Sequence, residues 1–515
     1  SLNAYIGQSH LRDDVTFFYD RAGDMGDFNR KVVMKGHLSD SHVDSRDLGL
    51  FSEYVQQLHE VWTVSGDFAG TVDDFMFSNA DIHFGKSSRL LGAIGFKGLP
   101  TFDGAVMDIN LSLSEVNPVD IAQYYPEWQG HEDLEKFGLT VLDGTFKGTV
   151  EDFAVEASAS SELGKLGADL VFHISDAKNT TYEGSVKASD FEIGILLDKL
   201  PNVQKVNFEG SIQGKGLELK YASTHLDAKV SSLGYNQYNY KNIVLKGDIQ
   251  NQYFNGFVSA KDSNLVLNLE GEFDLAKPQN VFQVKGAIQK ANLANLGLMA
   301  DSVTLSTVLD INLTGNHFDD LLGTAKLYDT YLLTPEKDKN LVIDTLLLHS
   351  GIQGSMRTLQ LESEFLMATM KGNFVPSQAL KDLQRVMEEY KLYFFGNQTD
   401  RKLYYANHAN VPQSERYQID YEVEAKNLTQ VLSFLQPELY ISRGAKAEGY
   451  FRMNNTAIIN LNAIADTVRY QKSAFLHSEV DLTTSKFTNR SEVLASILVT
   501  SQQQQMGMFV PSENL

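Results

Sequence analysis

The fold is decided by the stretch Gly138–Leu200, which reads GLTVLDGTFKGTVEDFAVEASASSELGKLGADLVFHISDAKNTTYEGSVKASDFEIGILLDKL. Apolar and polar residues alternate along it, so that Phe153, Val155 and Ala157 fall on one side of an extended chain. Gly and Asp residues interrupt the alternation, and the stretch ends in an apolar patch, Phe191–Leu197, without a period of two. Alternation between turn residues predicts antiparallel β-strands with one apolar and one polar face.

The same pattern recurs along the chain. Val64–Leu99 aligns with Leu142–Ile174, so that Phe75 precedes Phe153 by 78 positions. The other matched residues are Gly66, Phe68, Gly70, Thr71, Val72, Asp74 and Phe77, followed 78 positions later by Gly144, Phe146, Gly148, Thr149, Val150, Asp152 and Val155. This divergent internal repeat predicts a structure that grows by adding similar units.

The alternation places one set of apolar side chains on the same face of the sheet. We predict that they line an apolar groove: Phe146, Phe153, Val155, Ala157, Leu170, Phe172, Ile174, Val206, Phe208, Ile212, Leu265, Leu267, Leu269, Phe273, Val303, Leu305, Leu309, Ile311 and Leu313. A sheet with one apolar face must pack on a second layer or curl on itself. Helices are too few and short for a second layer, so we expect an all-β antiparallel meander curled into an elongated open groove. A closed β-sandwich core would give the same alternation and stays open as an alternative.

Short apolar patches that follow strands and begin with Asn or Asp predict helices at strand ends, because these residues cap a first helical turn. They are Asn117–Tyr125, Asp190–Leu197, Asn292–Leu298 and Asn427–Leu435. We expect these helices either to cover the ends and edges of the sheet or to gate the groove.

A longer amphipathic helix is predicted for Pro376–Phe395, with Ser377 as its cap. Its apolar stripe, predicted to cover the groove, consists of Leu380, Leu383, Met387, Tyr390 and Phe394. The following segment, Asn397–Arg416, is polar and reads as a loop, and strands resume at Tyr417.

These elements divide the chain into repeats without linkers. The predicted segments are 1–60, the end of a preceding repeat; 61–137, a groove repeat; 138–200 and 201–300, each a groove repeat with a short helix; 301–396, a repeat ending in the amphipathic helix; 397–416, a polar loop; 417–501, a repeat with a short helix; and 502–515, a frayed tail.

Composition excludes several functions. The chain has 515 residues, no cysteine and a formal net charge of −22, which opposes nucleic-acid binding. It carries no hydrolase, nucleotide-binding or metal-binding motif, so we predict no enzyme, no catalytic or metal-ligating residue and no cofactor beyond bound phospholipid or detergent. The acidic pairs Asp73-Asp74, Glu151-Asp152 and Asp319-Asp320 are predicted to be turn residues rather than calcium ligands. The chain starts and stops within its pattern, which suggests an internal fragment.

The runs Gly144–Phe153 and Leu313–Leu327, the strand-then-helix units at Asn292 and Asn427, and the ending Met370–Phe395 carry a family resemblance. In serial order they resemble the repeat region of the TamB family, the translocation and assembly module proteins of the AsmA-like superfamily of bridge-like lipid transfer proteins. The resemblance implies a groove (a β-taco) that carries phospholipid between the two membranes of a diderm bacterium. It also implies a periplasmic location and an inner-membrane anchor outside this chain. A further implication is an outer-membrane barrel partner that contacts a region outside this chain. Through that partner the protein would be linked to outer-membrane biogenesis, barrel assembly and protein secretion.

Other classes share part of the pattern. An outer-membrane β-barrel also alternates, but it requires aromatic girdles and no Asn-capped helices between strands. A β-solenoid requires a coil repeat of about 20–30 residues, shorter than the offset of 78 found here. A scaffolding β-sandwich or a barrel protein without lipid transfer is therefore the alternative to a lipid conduit.

Overall fold

The computed structural model describes residues 2–50, 56, 58–101, 104–122, 131–196, 202–336, 340–408, 416–487, 492–505 and 512–513. The chain forms two compact units, Ser1–Asp262 (unit 1) and Ser263–Leu515 (unit 2). Both are built mainly of β-strands, as predicted.

The described residues of unit 1 form fifteen strands that follow one another with few insertions. They are β1 (Leu2–Ile6), β2 (Ser9–Phe18), β3 (Val33–Asp44), β4 (Val61–Gly70), β5 (Asp74–Phe84), β6 (Ser88–Lys97), β7 (Val106–Val116), β8 (Thr140–Gly148), β9 (Asp152–Ser161), β10 (Gly164–His173), β11 (Thr181–Phe191), β12 (Val203–Lys215), β13 (Ser223–Tyr235), β14 (Tyr238–Gln250) and β15 (Tyr253–Lys261). Each strand pairs antiparallel with the next, from β1 to β15.

Fourteen strands in a similar arrangement are formed by the part of unit 2 that the structure describes. They are β16 (Leu265–Asp274), β17 (Val281–Asn292), β18 (Thr304–Thr314), β19 (Leu322–Leu333), β20 (Leu341–Gln353), β21 (Met356–Ser363), β22 (Leu366–Gly372), β23 (Tyr417–Ala425), β24 (Leu439–Ile441), β25 (Lys446–Met453), β26 (Thr456–Tyr470), β27 (Ser473–Phe487), β28 (Val493–Gln505) and β29 (Ser512–Glu513). The short strand β24 pairs with β26, and β23 pairs with β25. Within the described residues of each unit, the first and last strands do not pair with each other, so each sheet is an open meander.

A recurring β-bulge bends the strands. In β3, β5, β7 and β11 the register shifts by one step, and a residue with φ between 45° and 48° is followed by a buried residue. The bulged residues are Asp40, Asn79, Leu113 and Asp190, and the buried ones that follow are Ser41, Ala80, Ser114 and Phe191. Asp329–Thr330 repeat the arrangement in unit 2, with a register shift against β18. His477 also has positive φ and precedes buried Ser478, but the register stays regular there. Bulges kink a strand and increase its twist, so they supply curvature that a regular pleat lacks.

The two copies of the internal repeat share their register over Asp67–Gly70 and Thr145–Gly148, on the turn side of the bulge at Asn79. Phe68 lies opposite Phe77, and Phe146 lies opposite Val155, the residues 78 positions later. Gly144 has φ of 151°, and a Cβ there would lie 2.3 Å from the carbonyl oxygen of Glu156. Only glycine fits that close approach of two strands.

The described helices are α1 (Phe28–Lys31), α2 (Pro118–Ala122), α3 (His131–Glu135), α4 (Ile193–Leu196), α5 (Pro376–Phe395), α6 (Gln398–Asn407) and α7 (Thr429–Leu435), together with 3-10 turns at Ala22–Asp27, Ser45–Leu50 and Phe318–Asp320. None of the described helices combines the length and the apolar character needed to cross a lipid bilayer.

The predicted cap is correct at one of the four short patches: the side-chain oxygen of Asn117, directly before α2, accepts from the backbone N–H of Val119 at 3.1 Å. Asn427 accepts from the N–H of Thr429 at 3.3 Å, but Leu428 lies between it and α7 and is the N-cap residue. Asp190 is wrong as a cap, because it occupies the bulge of β11, and α4 begins only at Ile193. Asn292 is the last residue of β17, and the residues after it form hydrogen-bonded turns rather than a helix.

The end of unit 2 differs from the prediction in three places. Val375 precedes the first residue of α5, and Ser377 donates its hydroxyl hydrogen to Asp319 instead of capping the helix. The polar segment predicted as a loop contains α6. The side-chain oxygen of Asn397 caps this helix by accepting from the backbone N–H of Asp400 at 2.8 Å. Gln502–Gln505, predicted as frayed, belong to β28. Residues 409–415 of that predicted loop and most of the tail lie outside the described part of the chain.

Candidate functional site

The apolar side chains of unit 1 form continuous rows across the strands. One row, defined by directly opposed residues, runs Val15, Gly36, Phe68, Phe77, Ile94, Ile109, Phe146, Val155, Leu170, Gly184, Ile212 and Leu226. The adjacent row contains Phe153 and Phe172, whose ring centroids are 5.2 Å apart. The register therefore brings most predicted residues of unit 1 onto one face.

Unit 2 has two corresponding rows, which we call the floor rows. The first runs Phe273, Phe282, Leu313, Gly323, Ser350, Leu359, Met370, Tyr421, Gly449, Leu461, Leu482 and Ile497. The second runs Gly271, Val284, Ile311, Ala325, Leu348, Leu361, Ala368, Val423, Ala447, Ala463, Val480 and Val499. Leu267, Leu269, Leu309 and Leu305 continue this face on β16 and β18.

Most of the predicted lining side chains are partly exposed to solvent. Of the nineteen, Val206, Val303 and Leu309 are buried and the other sixteen are half-buried; none is exposed. Val206 belongs to a small core with Leu163, Ala188 and Phe191 beside α4. Ile174 follows β10 and Val303 precedes β18, so these two lie next to strands rather than within them.

No second sheet packs on this face within the described residues of either unit, because all described strands of a unit pair side by side. A sandwich core would bury these side chains fully, as close-packed interiors do. Half-burial instead fits side chains that shield one another along a curved, open face. The opposite face carries exposed cross-strand ion pairs such as Lys246–Asp227 at 2.6 Å and Lys285–Asp310 at 3.3 Å.

Helix α5 lies along one margin of the apolar face of unit 2. Two further rows, the lip rows, lie beneath it: Arg357, Gly372, Ile419, Phe451, Ile459 and Thr484 form the inner one, and Tyr417, Met453, Ala457 and Lys486 form the outer one. A helix of 20 residues is about 30 Å long, and six strands spaced by about 4.8 Å cover nearly the same distance. The contacts of α5 therefore extend from β21 to β27.

The face of α5 that contacts the sheet contains buried charges. Glu389 and Lys486, 4% and 1% exposed, form an ion pair of 2.6 Å. Asp382 accepts from the hydroxyl of Tyr417 at 3.0 Å and from Arg385 at 2.8 Å. Burial, with the charge of Asp382, raises the pKa of Tyr417, so its phenol stays protonated and donates. Buried Ala379 and Val386 complete the contact with Phe374, Ile419, Phe451 and Met453.

The predicted apolar stripe of α5 is not its packing face. Leu380, Leu383, Met387 and Phe394 are 55%, 40%, 47% and 54% exposed. Only Tyr390, at the boundary, reaches the sheet, through a hydrogen bond of 2.7 Å to Thr484. The helix packs at the margin of the apolar face through Ala379, Asp382, Val386 and Glu389 rather than through the predicted stripe.

The stripe faces the interior of the groove. Glu389 and Tyr390 are consecutive, so they diverge by about 100° around the helix. Glu389 reaches Lys486 in the outer lip row, whereas Tyr390 reaches Thr484 in the inner one. The side of α5 that carries Tyr390, Leu383 and Met387 therefore looks over the floor rows, where it adds a side wall to the groove.

An open apolar cavity of about 430 Å³ lies where the N-terminal end of α5 meets the floor. Its lining includes Leu313, Phe318, Leu348, Leu359, Leu361 and Met370, with Pro376 from the helix. This size falls within the range of about 300–1,000 Å³ typical of small-molecule sites.

Arg357 lies on the wall of that cavity and is only 5% exposed. Its hydrogen bonds go to uncharged oxygens: the carbonyls of Asp319 at 2.5 Å and Leu321 at 3.3 Å, and the hydroxyl of Ser350 at 3.1 Å. Burial lowers the pKa of the guanidinium, against the opposing influence of the Asp319 and Asp320 carboxylates. A guanidinium nevertheless stays charged in proteins.

Sequence reasoning did not identify Arg357, Lys486, Asp382 or Glu389. Arg357 and Lys486 are the charged side chains within the four rows, and each occupies a strand position whose alternating neighbours are apolar or hydroxylated. Asp382 and Glu389 are seven residues apart and thus share one helix face. The sequence signal for Arg357 and Lys486 was a charged residue at a strand position where the alternation predicts an apolar one.

The acidic pairs perform the predicted turn roles. The hydroxyl oxygen of Thr71 accepts from the Asp74 N–H at 3.1 Å, and Thr149 does the same for Asp152 at 3.0 Å. Asp320 accepts from the backbone of Asn316 and His317, while Asp319 accepts from the Ser377 N–H at 2.7 Å. No group of three or more His, Asp or Glu side chains suited to a metal ion occurs among the described residues.

No known protein family, curated protein or solved structure matches this chain.

Proposed function

We propose that this protein is a lipid conduit, in which phospholipid acyl chains lie on the apolar face while their head groups stay in water. The observation that carries the proposal is the pair of floor rows in unit 2 and their counterpart in unit 1, which are apolar at most positions. Most of their side chains are half-buried, and Leu348, Met370, Ile497 and Val499 are exposed. Covering such a face with acyl chains gains about 0.8 kcal/mol per buried CH₂.

Movement along the groove follows from the similarity of its positions. Successive strands present the same kinds of side chain, so a lipid that leaves one position finds an equivalent one beside it. The polar, acidic opposite face keeps the protein in solution while the apolar face carries its cargo. These features suit a passive route, in which the lipid gradient sets the direction.

The resemblance to the TamB family extends the proposal. On that basis the groove works in the periplasm of a diderm bacterium and moves phospholipid between inner and outer membranes. An anchor and an outer-membrane barrel partner would then act through parts outside this chain, in support of outer-membrane biogenesis and barrel assembly. The role is one of transport rather than catalysis.

The test is phospholipid extraction from gently purified protein, with two neighbouring substitutions on opposite faces of β16. Leu267→Arg places a charge on the apolar face, and Asn268→Arg places the same charge on the exposed polar face. Losing contact with about two CH₂ groups lowers affinity roughly tenfold. We therefore expect Leu267→Arg to lose most co-purified phospholipid and to slow lipid transfer between vesicles, whereas Asn268→Arg resembles the wild type. Equal lipid content in both variants, or none in the wild type, would contradict the proposal.

A further inference from the structure

The corner between α5 and the floor of unit 2 differs from the rest of the groove because it combines an apolar cavity with a buried cation. Lys486, the other charged residue of the rows, is neutralised by Glu389 at 2.6 Å. Arg357 has uncharged oxygen partners, and no described carboxylate forms an ion pair with it. A buried cation on a cavity wall favours an anionic ligand, because charge-assisted bonds to guanidinium are stronger than neutral ones.

The geometry fits one acyl chain lying along β21. Arg357, Leu359 and Leu361 alternate on the same face, with Arg357 in the inner lip row and the two leucines in the floor rows. At about 3.3 Å per residue the distance from Arg357 to Leu361 is about 13 Å. The hydrocarbon core of a bilayer, about 30 Å thick, contains two layers of acyl chains, so one chain spans about 15 Å.

The acidic surroundings set limits on the head group. The Asp319 carboxylate accepts hydrogen bonds from the N–H and the hydroxyl of Ser377, both at 2.7 Å. The Arg357 guanidinium donates to the backbone carbonyl oxygen of Asp319, not to its carboxylate. A small head group with one or two anionic oxygens can approach Arg357 from the cavity side, whereas a bulky head group would contact Phe318 and Pro376.

We propose that this corner is a holding site for an anionic single-chain amphiphile, whose carboxylate or phosphate oxygens bind Arg357 and whose chain lies over Leu359, Leu361 and Ala368. The inference rests on the proposed lipid function and assigns it a ligand class at one defined place. Most of the groove has no such charge, so neutral and zwitterionic lipids pass without a comparable stop.

The experiment measures binding to the delipidated full chain by native mass spectrometry and calorimetry. The probes are palmitate, a palmitoyl lysophosphatidate and the uncharged monopalmitoylglycerol. Palmitate and the lysophosphatidate separate a carboxylate source of the anion from a phosphate source. We expect a single tight site for at least one of these anions and at least tenfold weaker binding of monopalmitoylglycerol.

Two variants and two controls locate the site. Arg357→Gln removes the charge, and we expect it to weaken binding of the anion about tenfold or more while changing that of monopalmitoylglycerol less than about twofold. Arg452→Gln removes an arginine from the polar face and serves as its control. Ala368→Trp fills the cavity without touching the charge, and Ala157→Trp makes the same change on the apolar face of unit 1.

The outcomes distinguish this inference from the conduit proposal. Loss of anion binding in Arg357→Gln and Ala368→Trp, with retention in both controls, supports the holding site. Affinity for both anions no higher than that for monopalmitoylglycerol, or anion binding that survives Ala368→Trp, overturns it while leaving acyl-chain binding intact. Failure of all three probes to bind the wild type overturns the holding site and also contradicts the conduit.

Discussion

At the margin of the unit 2 groove, single charged residues fix the orientation of α5. Burying an ion pair such as Glu389–Lys486 costs desolvation that its attraction only partly offsets, so it contributes little net stability. We expect its main effect to be on the orientation of the helix. With an apolar packing face the helix could rotate and bury its larger stripe, whereas the bonds to Tyr417, Thr484 and Lys486 hold the stripe over the groove.

The stability of this margin depends on pH through the Asp319 carboxyl. Hydrogen bonds from the Ser377 hydroxyl and backbone lower the pKa of the Asp319 carboxyl below its ordinary value of 3.8. A carboxyl with a lowered folded-state pKa stabilises the fold above its unfolded-state pKa, and that contribution disappears as the pH falls through the folded-state value. The stabilisation by Asp319 is therefore complete above about pH 4 and is lost below it.

We expect Asp319→Asn to increase amide hydrogen exchange in the first turns of α5 at pH 6–7, because an anion at a helix N-terminus contributes about 0.3–1 kcal/mol. The difference from the wild type should shrink as the pH falls below about 4. Asp320→Asn is the matched control, because Asp320 bonds to Asn316 and His317 rather than to α5. A difference between wild type and Asp319→Asn that stays constant from pH 7 to pH 3 would refute this role of the carboxylate.

The sequence indicated part of this site. Alternation correctly predicted strands such as β18, on which Leu309, Ile311 and Leu313 alternate, because a period of two follows directly from strand geometry. It could not reveal that Glu389 meets Lys486, since that contact joins a helix to a strand far along the chain. The helix itself was predicted, but its packing face was not, because amphipathicity identifies the most apolar side and not the side in contact.

Among the elements, α5 shows most directly how packing and function are divided between two faces of one helix. Val386 is 2% exposed in the contact with the sheet, whereas Leu383 is 40% exposed on the groove side. A charge at each position therefore has different consequences.

We expect Val386→Lys to detach α5, because an unpaired buried charge costs several kcal/mol. Limited proteolysis should then cleave near α5 and α6. Leu383→Lys should leave protease resistance near that of the wild type and reduce lipid binding instead. If the two variants were equally protease-sensitive, the stripe would be part of the core.

The bulges are elements that the sequence analysis missed. Each of the first four follows a serine, in the triplets Ser-Asp-Ser, Ser-Asn-Ala, Ser-Leu-Ser and Ser-Asp-Phe at 39–41, 78–80, 112–114 and 189–191. Asp and Asn tolerate the left-handed conformation, which explains three of the four bulged residues. These triplets resemble ordinary polar positions of a strand, so the alternation pattern does not identify them as bulges.

Leu113 is the exception, with φ of 47° and a side chain 66% exposed. We expect Leu113→Asn to stabilise unit 1 by about 1 kcal/mol, because a non-glycine residue held at positive φ costs about 1–3 kcal/mol and asparagine bears it best. Denaturant unfolding followed by hydrogen exchange in β6–β8 measures the gain. Leu139→Asn, at another exposed leucine outside the bulges, controls for the loss of surface apolar area. A destabilised Leu113→Asn would show that the leucine side chain, not the backbone, determines this position.

For the molecule as a whole, the all-β meander followed from the sequence because each hairpin repeats the same local rules. Phe68 with Phe77 and Phe146 with Val155 illustrate this, since turn positions and alternation fix their register. The split into two compact units was not apparent, because nothing in composition marks the junction at Asp262. The predicted segments instead followed the patches at strand ends, which do not interrupt the pairing of strands within a unit.

The pairing of each strand with its chain neighbours has a consequence for evolution and folding. Because strands of a unit bond mainly to the strands next to them in sequence, a hairpin can be duplicated or lost without rethreading the chain. The offset of 78 residues between two related segments is the expected trace of such a duplication. Local contacts also favour rapid, stepwise folding, in which each completed hairpin provides the template edge for the next.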